Sequence, residues 1–181
     1  TATPPNSALS IYYKFLTKLA GTDCNNIIIT GGNHDSISSL NAPREVLKQL
    51  NVHVIGGAEE NISDEIIILK DKNEDPLGIV CAIPFLRDRD LRKHIAGESI
   101  EEKSEAFRNG LKSHYKIAAE TALKLRNNLK EEFQNIPLIA MGHLAVTGTV
   151  SSDSEREIHI GNLINVSVDL FSEELDYIAL G

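Results

Sequence analysis

The sequence predicts an α/β fold with its functional residues at the carboxyl edge of a sheet, and three observations predict it. The run Ile27-Ile28-Ile29-Thr30 lacks a helical period and enters Gly31-Gly32, followed at once by Asn33-His34-Asp35-Ser36. β-Branched residues pack well on a pleated sheet, so the run reads as a buried strand. A second apolar run, Ile136 to Met141, ends in the same manner, in Gly142-His143. Between the two lies a long stretch of helical period. Strands alternating with helices build α/β folds, and open α/β sheets bind ligands at the carboxyl ends of their strands.

The elements follow in order. Thr1 to Asn6 holds two prolines and leads into a helix that Asn6 or Ser7 can cap, with an apolar stripe of Leu9, Tyr12, Tyr13, Leu16, Leu19 and Ala20 running to Gly21. The central strand comes next. Asn41 can cap a second helix with Pro43 in its first turn, carrying Val46, Leu47 and Leu50. Val52 to Ile55 is a short strand ended by Gly56-Gly57. Ile66 to Leu69 and Gly78 to Ile83 flank the polar turn Asp71 to Pro76, which predicts a hairpin. Ser99-Ile100-Glu101-Glu102 has the form of a capping box. From it Phe107, Leu111, Tyr115, Ala118, Ala122, Leu125, Leu129 and Phe133 keep a helical period to Gln134, with a bend expected at Gly110. After the Ile136 to Met141 strand, a polar loop from Thr147 to Ser154 leads to strands at Glu157 to Ile160 and Tyr177 to Leu180. No internal repeat, linker or low-complexity stretch interrupts the chain.

A length of 181 residues suits one domain with a sizeable core. A net charge of -8 argues against nucleic-acid affinity through a broadly basic surface, yet leaves room for a nuclease, because bound divalent ions can supply the charge that meets phosphate. Cys24 and Cys81 stand far apart without metal-type spacing, which suggests neither zinc nor a disulfide framework. No apolar run approaches the ~20 residues of a membrane span and no signal peptide is visible, so the expected location is the cytoplasm. Both ends read as cut: the chain begins at Thr1 without a Met and stops on an apolar strand just reaching Gly181.

The chemistry of the first glycine turn is open on its own. Asn33 offers a neutral oxygen to a hard cation, His34 can move a proton near neutral pH, and Asp35 can orient that imidazole. A loop whose Asn and Asp merely make turn hydrogen bonds explains the same residues. Two strands ending in glycine plus histidine, and a third in Gly181, favour a site assembled from loops on one rim.

Gly32-Asn33-His34-Asp35 and Gly142-His143 resemble two of the five motifs of the calcineurin-like, two-metal phosphoesterases. Gly32 through Ser36 with Leu40-Asn41, Ile83 through Arg87, Gly142-His143-Leu144, Ser152 through Gly161 and Asp176 through Gly181 look like the SbcD family, bacterial nucleases of the Mre type in DNA repair. The resemblance runs over essentially the whole chain. It implies a metallo-dependent phosphoesterase fold, two mixed β-sheets sandwiched between helices in four layers (αββα). It also implies a metal-dependent exonuclease and endonuclease acting on DNA ends and hairpins, partnered by an SbcC-like ATPase, and a homodimer for which Tyr12, Tyr13 and Leu16 of the first helix are candidate contacts, against the default reading of their stripe as core. Residues 1–181 would then be the phosphoesterase domain, lacking the family's opening Asp-x-His and Gly-Asp-x-x-Asp and its closing His-x-His, so that metal binding by this polypeptide is expected to be poor.

The resemblance also assigns roles. Two divalent ions, Mn²⁺ foremost, clamp a phosphodiester and lower the pKa of a bridging water. Asn33 and His143 would be metal ligands. His34 would face the scissile phosphate and Asp35 would fix its tautomer, although a cap or turn role fits Asp35 nearly as well. Arg87, Arg89 and Arg156 are candidate phosphate contacts, with Asp88 and Asp90 making a solvated charge cluster the competing reading for the first two. His53 reads as an outward strand residue, His94 and His114 as helix residues and His159 as a strand residue. Two other classes stay open: a calcineurin-like enzyme acting on a phosphoprotein or nucleotide, and a non-catalytic scaffold that dimerises or docks an ATPase.

Overall fold

The computed structural model describes residues 4–92, 96–144 and 167–181. Its strands are β1 (Ile27–Thr30), β2 (Val52–Ile55), β3 (Ile66–Lys70), β4 (Pro76–Ala82), β5 (Leu138–Gly142) and β6 (Tyr177–Leu180). Its helices are α1 (Asn6–Ala20), α2 (Ile37–Asn41), α3 (Arg44–Lys48), α4 (Asp88–Leu91) and α5 (Ile100–Asn127). β1 and β2 form a parallel pair, and β3-β4-β5-β6 form a second sheet in that order, antiparallel at β3–β4 and parallel thereafter. The expectation of two mixed sheets thus holds for the larger one; the smaller is a parallel pair among the described residues.

The four layers follow from the period-2 alternation of the strands. Ile27, Ile29, Val52 and Val54 turn one face of the small sheet onto Leu16 of α1 and Leu47 of α3. Ile28 and Ile55 turn its other face onto Ile67, Leu69, Val80, Ala82, Ile139 and Met141 of the large sheet. The intervening residues Ile66, Ile79, Cys81, Leu138 and Ala140 pack against Leu111, Tyr115, Ala118 and Ala122 of α5. A fully buried Ile or Leu stabilises by roughly 1.5–3 kcal/mol, whereas an exposed pair such as Lys72–Asp23, at 3.6 Å, is worth about 0–1 kcal/mol. Apolar burial therefore holds the layers together.

Local chemistry explains most boundaries. In the capping box, Ser99 Oγ accepts from the Glu102 N–H at 3.1 Å while the Glu102 carboxylate accepts from the Ser99 N–H at 2.7 Å. The expected hairpin forms, its turn held by Asp71 Oδ1, which accepts from the N–H groups of Asn73 (2.8 Å) and Asp75 (2.9 Å).

Several expectations are corrected. α1 begins at Asn6 with Pro5 in the capping position, so neither Asn6 nor Ser7 caps it. The second helix is two short ones: Ser36 caps α2, Pro43 precedes α3, and Asn41 instead accepts the Gly56 N–H at 2.9 Å. α5 stops at Asn127, and the apolar period continues only through a 3-10 turn at Glu131–Phe133. The Gln134 side chain donates to the carbonyls of Asn127 (3.2 Å) and Leu129 (3.1 Å), satisfying groups that another helical turn would otherwise have used. Gly110 lies within α5, and its missing Cβ makes room for Leu91. Of the first-helix stripe, Tyr12 and Leu16 keep the default core role, whereas Tyr13 is exposed. The strand expected at Glu157 to Ile160, together with His94, Arg156 and His159, lies outside the described residues.

Candidate functional site

The carboxyl ends of β1 and β5, in different sheets, come together. Gly31 continues the β1–β2 ladder by donating to the Ile55 carbonyl at 2.9 Å, and its own carbonyl accepts the Phe85 N–H at 2.8 Å. A Cβ on Gly31 would fall on the Gly56 carbonyl oxygen, so only glycine lets the two turns cross here. Gly32 then meets the imidazole of His143: a Cβ on it would lie 3.3 Å from His143 Cε1.

At this crossing His143 Nε2 lies 3.2 Å from Asn33 Oδ1, the imidazole N–H donating to the amide oxygen. Phe85 stands edge-on to the His143 ring, centroids 5.9 Å apart at 80°. Burial pulls the His143 pKa below its ordinary value; the Asp35 carboxylate opposes this and His34 reinforces it. The imidazole is therefore neutral near pH 7, the form that ligates metals. His34 and Asp35 are exposed beside the half-buried Asn33 and His143. Asp35 Oδ2 accepts the Gly32 N–H at 2.8 Å and makes no hydrogen bond to His34 among the described residues, so the contact it shows is the turn role.

An amide oxygen and a neutral imidazole nitrogen facing each other are a fitting pair of donors for a divalent transition ion. Two donors are fewer than such an ion needs, and among the described residues no group of three or more His, Cys, Asp or Glu side chains is placed to hold one. Arg87 is half-buried and enters no ion pair among the described residues. Arg89 is exposed and lies 3.7 Å from Asp90, which also accepts the Arg87 N–H at 2.9 Å. The arginines therefore sit in the mixed charge cluster, two to four residues beyond Phe85.

Two polar arrangements escaped the sequence. His53, read as outward, lines a cavity of about 400 Å³ between β2 and β3, because residues 53 and 55 share the face toward the large sheet. His114, read only as a helix residue, lies 2.8 Å from Glu65, whose carboxylate is fully buried and also accepts the Glu59 N–H at 3.0 Å. Phe85 was legible only as part of the segment Ile83 to Arg87; its contact with His143 depends on tertiary packing.

No protein-family profile matches the chain. Among curated proteins it is 35% identical, over all 181 of its residues, to the SbcD component of the SbcCD nuclease of Escherichia coli K12. The SbcD component from Rhodobacter capsulatus is 35% identical over 162 residues, 86% of this chain and 38% of its own length. Its Bacillus subtilis counterpart is 25% identical over 182 aligned positions, covering the whole chain. The chain spans about 42% of the length of the Escherichia coli relative. With the αββα layers in place, and with the alignment running from Thr1 to Gly181, the chain is a homologue of the SbcD components, which are calcineurin-like metallophosphoesterases.

Proposed function

We propose that the protein is the nuclease component of an SbcCD-type complex, hydrolysing phosphodiester bonds at DNA ends and hairpins with divalent metal, alongside an SbcC-like ATPase in DNA repair and recombination. The observation that carries this reading is the meeting of Asn33 and His143 on one rim, 3.2 Å apart, from turns on different sheets. The relatives, each named as the SbcD component of a nuclease, support it.

When bound, a pair of divalent ions, Mn²⁺ in this reading, polarises the phosphodiester and lowers the pKa of water. Asn33 Oδ1 and His143 Nε2 would hold one of them in place of the imidazole proton that now lies between them, with the remaining ligands outside this pair. His34, exposed on the same turn, would face the scissile phosphate and stabilise developing charge or protonate the leaving oxygen. Asp35 braces that turn through Gly32 and would orient His34. Arg87 and Arg89 would receive flanking phosphates, which a chain of net charge -8 meets locally instead of through a basic face. Exposed Ile11 and Phe15, four residues apart on one face of α1, offer an apolar surface for a homodimer, and Tyr13 is exposed on another face. No described helix is long and apolar enough to cross a membrane, in keeping with a cytoplasmic site of action.

The test is a Mn²⁺-dependent assay of the intact protein on linear and hairpin DNA. Digestion supports the proposal. Turnover of small phosphoesters without nuclease activity supports a phosphoprotein- or nucleotide-directed phosphoesterase, and neither activity supports a scaffold. His34→Ala should lose cleavage while keeping metal, and His143→Ala should lose both. Equal loss of metal in the two variants would show the roles to be wrongly assigned.

A further inference from the structure

The arm that carries His143 has an unexplained neighbour. Tyr115 of α5 is 1% exposed, and its ring stands edge-on to Phe171 with centroids 5.3 Å apart. Its hydroxyl has no hydrogen-bond partner among the described residues. Burying a hydroxyl without a partner is costly, and a phenylalanine would fill nearly the same space without that cost. Burial, with Glu65 and Cys81 nearby, pushes the phenol pKa well up, so the group remains a neutral O–H.

The hydroxyl lies against Gly142, the residue before His143. A Cβ on Gly142 would fall on Tyr115 Oη, with ring Cζ 3.3 Å away and Leu180 Cδ2 3.2 Å away. Gly142 is also tied to the neighbouring chain segment: its carbonyl accepts the Gly181 N–H at 3.0 Å, and it pairs with Leu180 across the β5–β6 ladder. The end of β5 is thus gripped from its edge by β6 and from the helix layer by a single oxygen atom. One peptide further on, His143 meets Asn33.

We propose that Tyr115 is a positioning residue for the site: its hydroxyl, wedged against Gly142, sets the height of the β5 end and so the alignment of His143 with Asn33. The proposal rests on the reading of Asn33 and His143 as the functional pair. It gives the orphan oxygen a purpose, since removing it opens an atom-sized gap beneath Gly142 and lets the arm settle. It also explains why position 142 is glycine, because any side chain there competes with the hydroxyl for the same space.

The experiment compares Tyr115→Phe, Gly142→Ala, their combination and His143→Ala in the intact protein. The readouts are thermal stability, titration with Mn²⁺ alone, and the imidazole resonances of His143 in metal-free protein. Tyr115→Phe should fold at least as stably as the parent, shift the His143 resonances and weaken Mn²⁺ binding by about 10-fold, the scale on which supporting residues act on metal sites. Gly142→Ala should weaken binding further, and the double variant should recover toward Tyr115→Phe, since the ring carbon left behind is 3.3 Å from the new methyl. Unchanged resonances and Mn²⁺ binding in Tyr115→Phe, with His143→Ala abolishing binding, would overturn the positioning role alone. If His143→Ala leaves Mn²⁺ binding intact, the site reading fails and the positioning role falls with it.

Discussion

Gly31→Ala tests whether the site is set by direct contact between two backbones. The new Cβ would land on the Gly56 carbonyl oxygen and 2.9 Å from its carbonyl carbon. Neither backbone is free to retreat. Gly56 is held by Asn41 through a 2.9 Å hydrogen bond, and Gly31 is held by Ile55 at 2.9 Å and by Phe85 at 2.8 Å. Overpacking costs about 1–3 kcal/mol, and distorting two or more hydrogen bonds adds about 1 kcal/mol each. The expected loss is roughly 3–5 kcal/mol, which lowers Tm by on the order of 10 °C at this chain size. Circular dichroism of the intact protein during heating measures it, with Gly21→Ala as control. A Cβ at Gly21 meets nothing closer than the Lys18 carbonyl at 3.5 Å, so that variant should be neutral or slightly stabilised. A Gly31→Ala protein within about 0.5 kcal/mol of the parent would refute the reasoning.

Two further outcomes are expected. Burial, with Lys48 nearby, lowers the His53 pKa from 6.5. Below that value the unfolded chain binds the proton more readily than the folded one, so stability falls as pH drops from about 6.5 toward the folded pKa. His53→Gln should flatten this slope in urea midpoints measured across the window, and an unchanged slope would discard His53 as its source; Arg44, Glu45, Lys48 and Asp64 share the cavity and are unchanged in the variant. Residues 1–181 expressed alone should not form a stable domain, because β1 pairs only with β2 among the described strands and its other edge offers backbone groups without a ladder partner. A soluble monomer unfolding cooperatively at roughly 45–65 °C would overturn that expectation.

The legible parts of the fold were those with local causes. Runs of β-branched residues located β1, β2 and the β3–β4 hairpin, and Ser99 with Glu102 marked the start of α5. Boundaries set by distant partners were hidden. Asn41 looks like a cap but serves Gly56, and α5 stops where Gln134 reaches back, although Leu129 and Phe133 prolong the apolar period. The same division applies to the site. Gly-Asn-His-Asp and Gly-His stand out as motifs after strands, whereas Phe85 beside His143, Tyr115 beneath Gly142 and Glu65 against His114 are products of layer packing. Their residue types are ordinary for a core or a helix, so no local pattern singles them out.

The separation of 110 positions between Asn33 and His143 bears on the order of assembly. Closing a loop of that length in the unfolded chain costs on the order of 4 kcal/mol in entropy, before any constant term. One hydrogen bond returns about 1 kcal/mol. The contact therefore cannot draw the two halves of the chain together. It forms after apolar burial between the sheets has already met the entropic cost, which makes the pairing of these two side chains a late report that both sheets have docked in register. Among the described residues each sheet brings one donor of the pair to its rim, so neither sheet assembles the pair on its own.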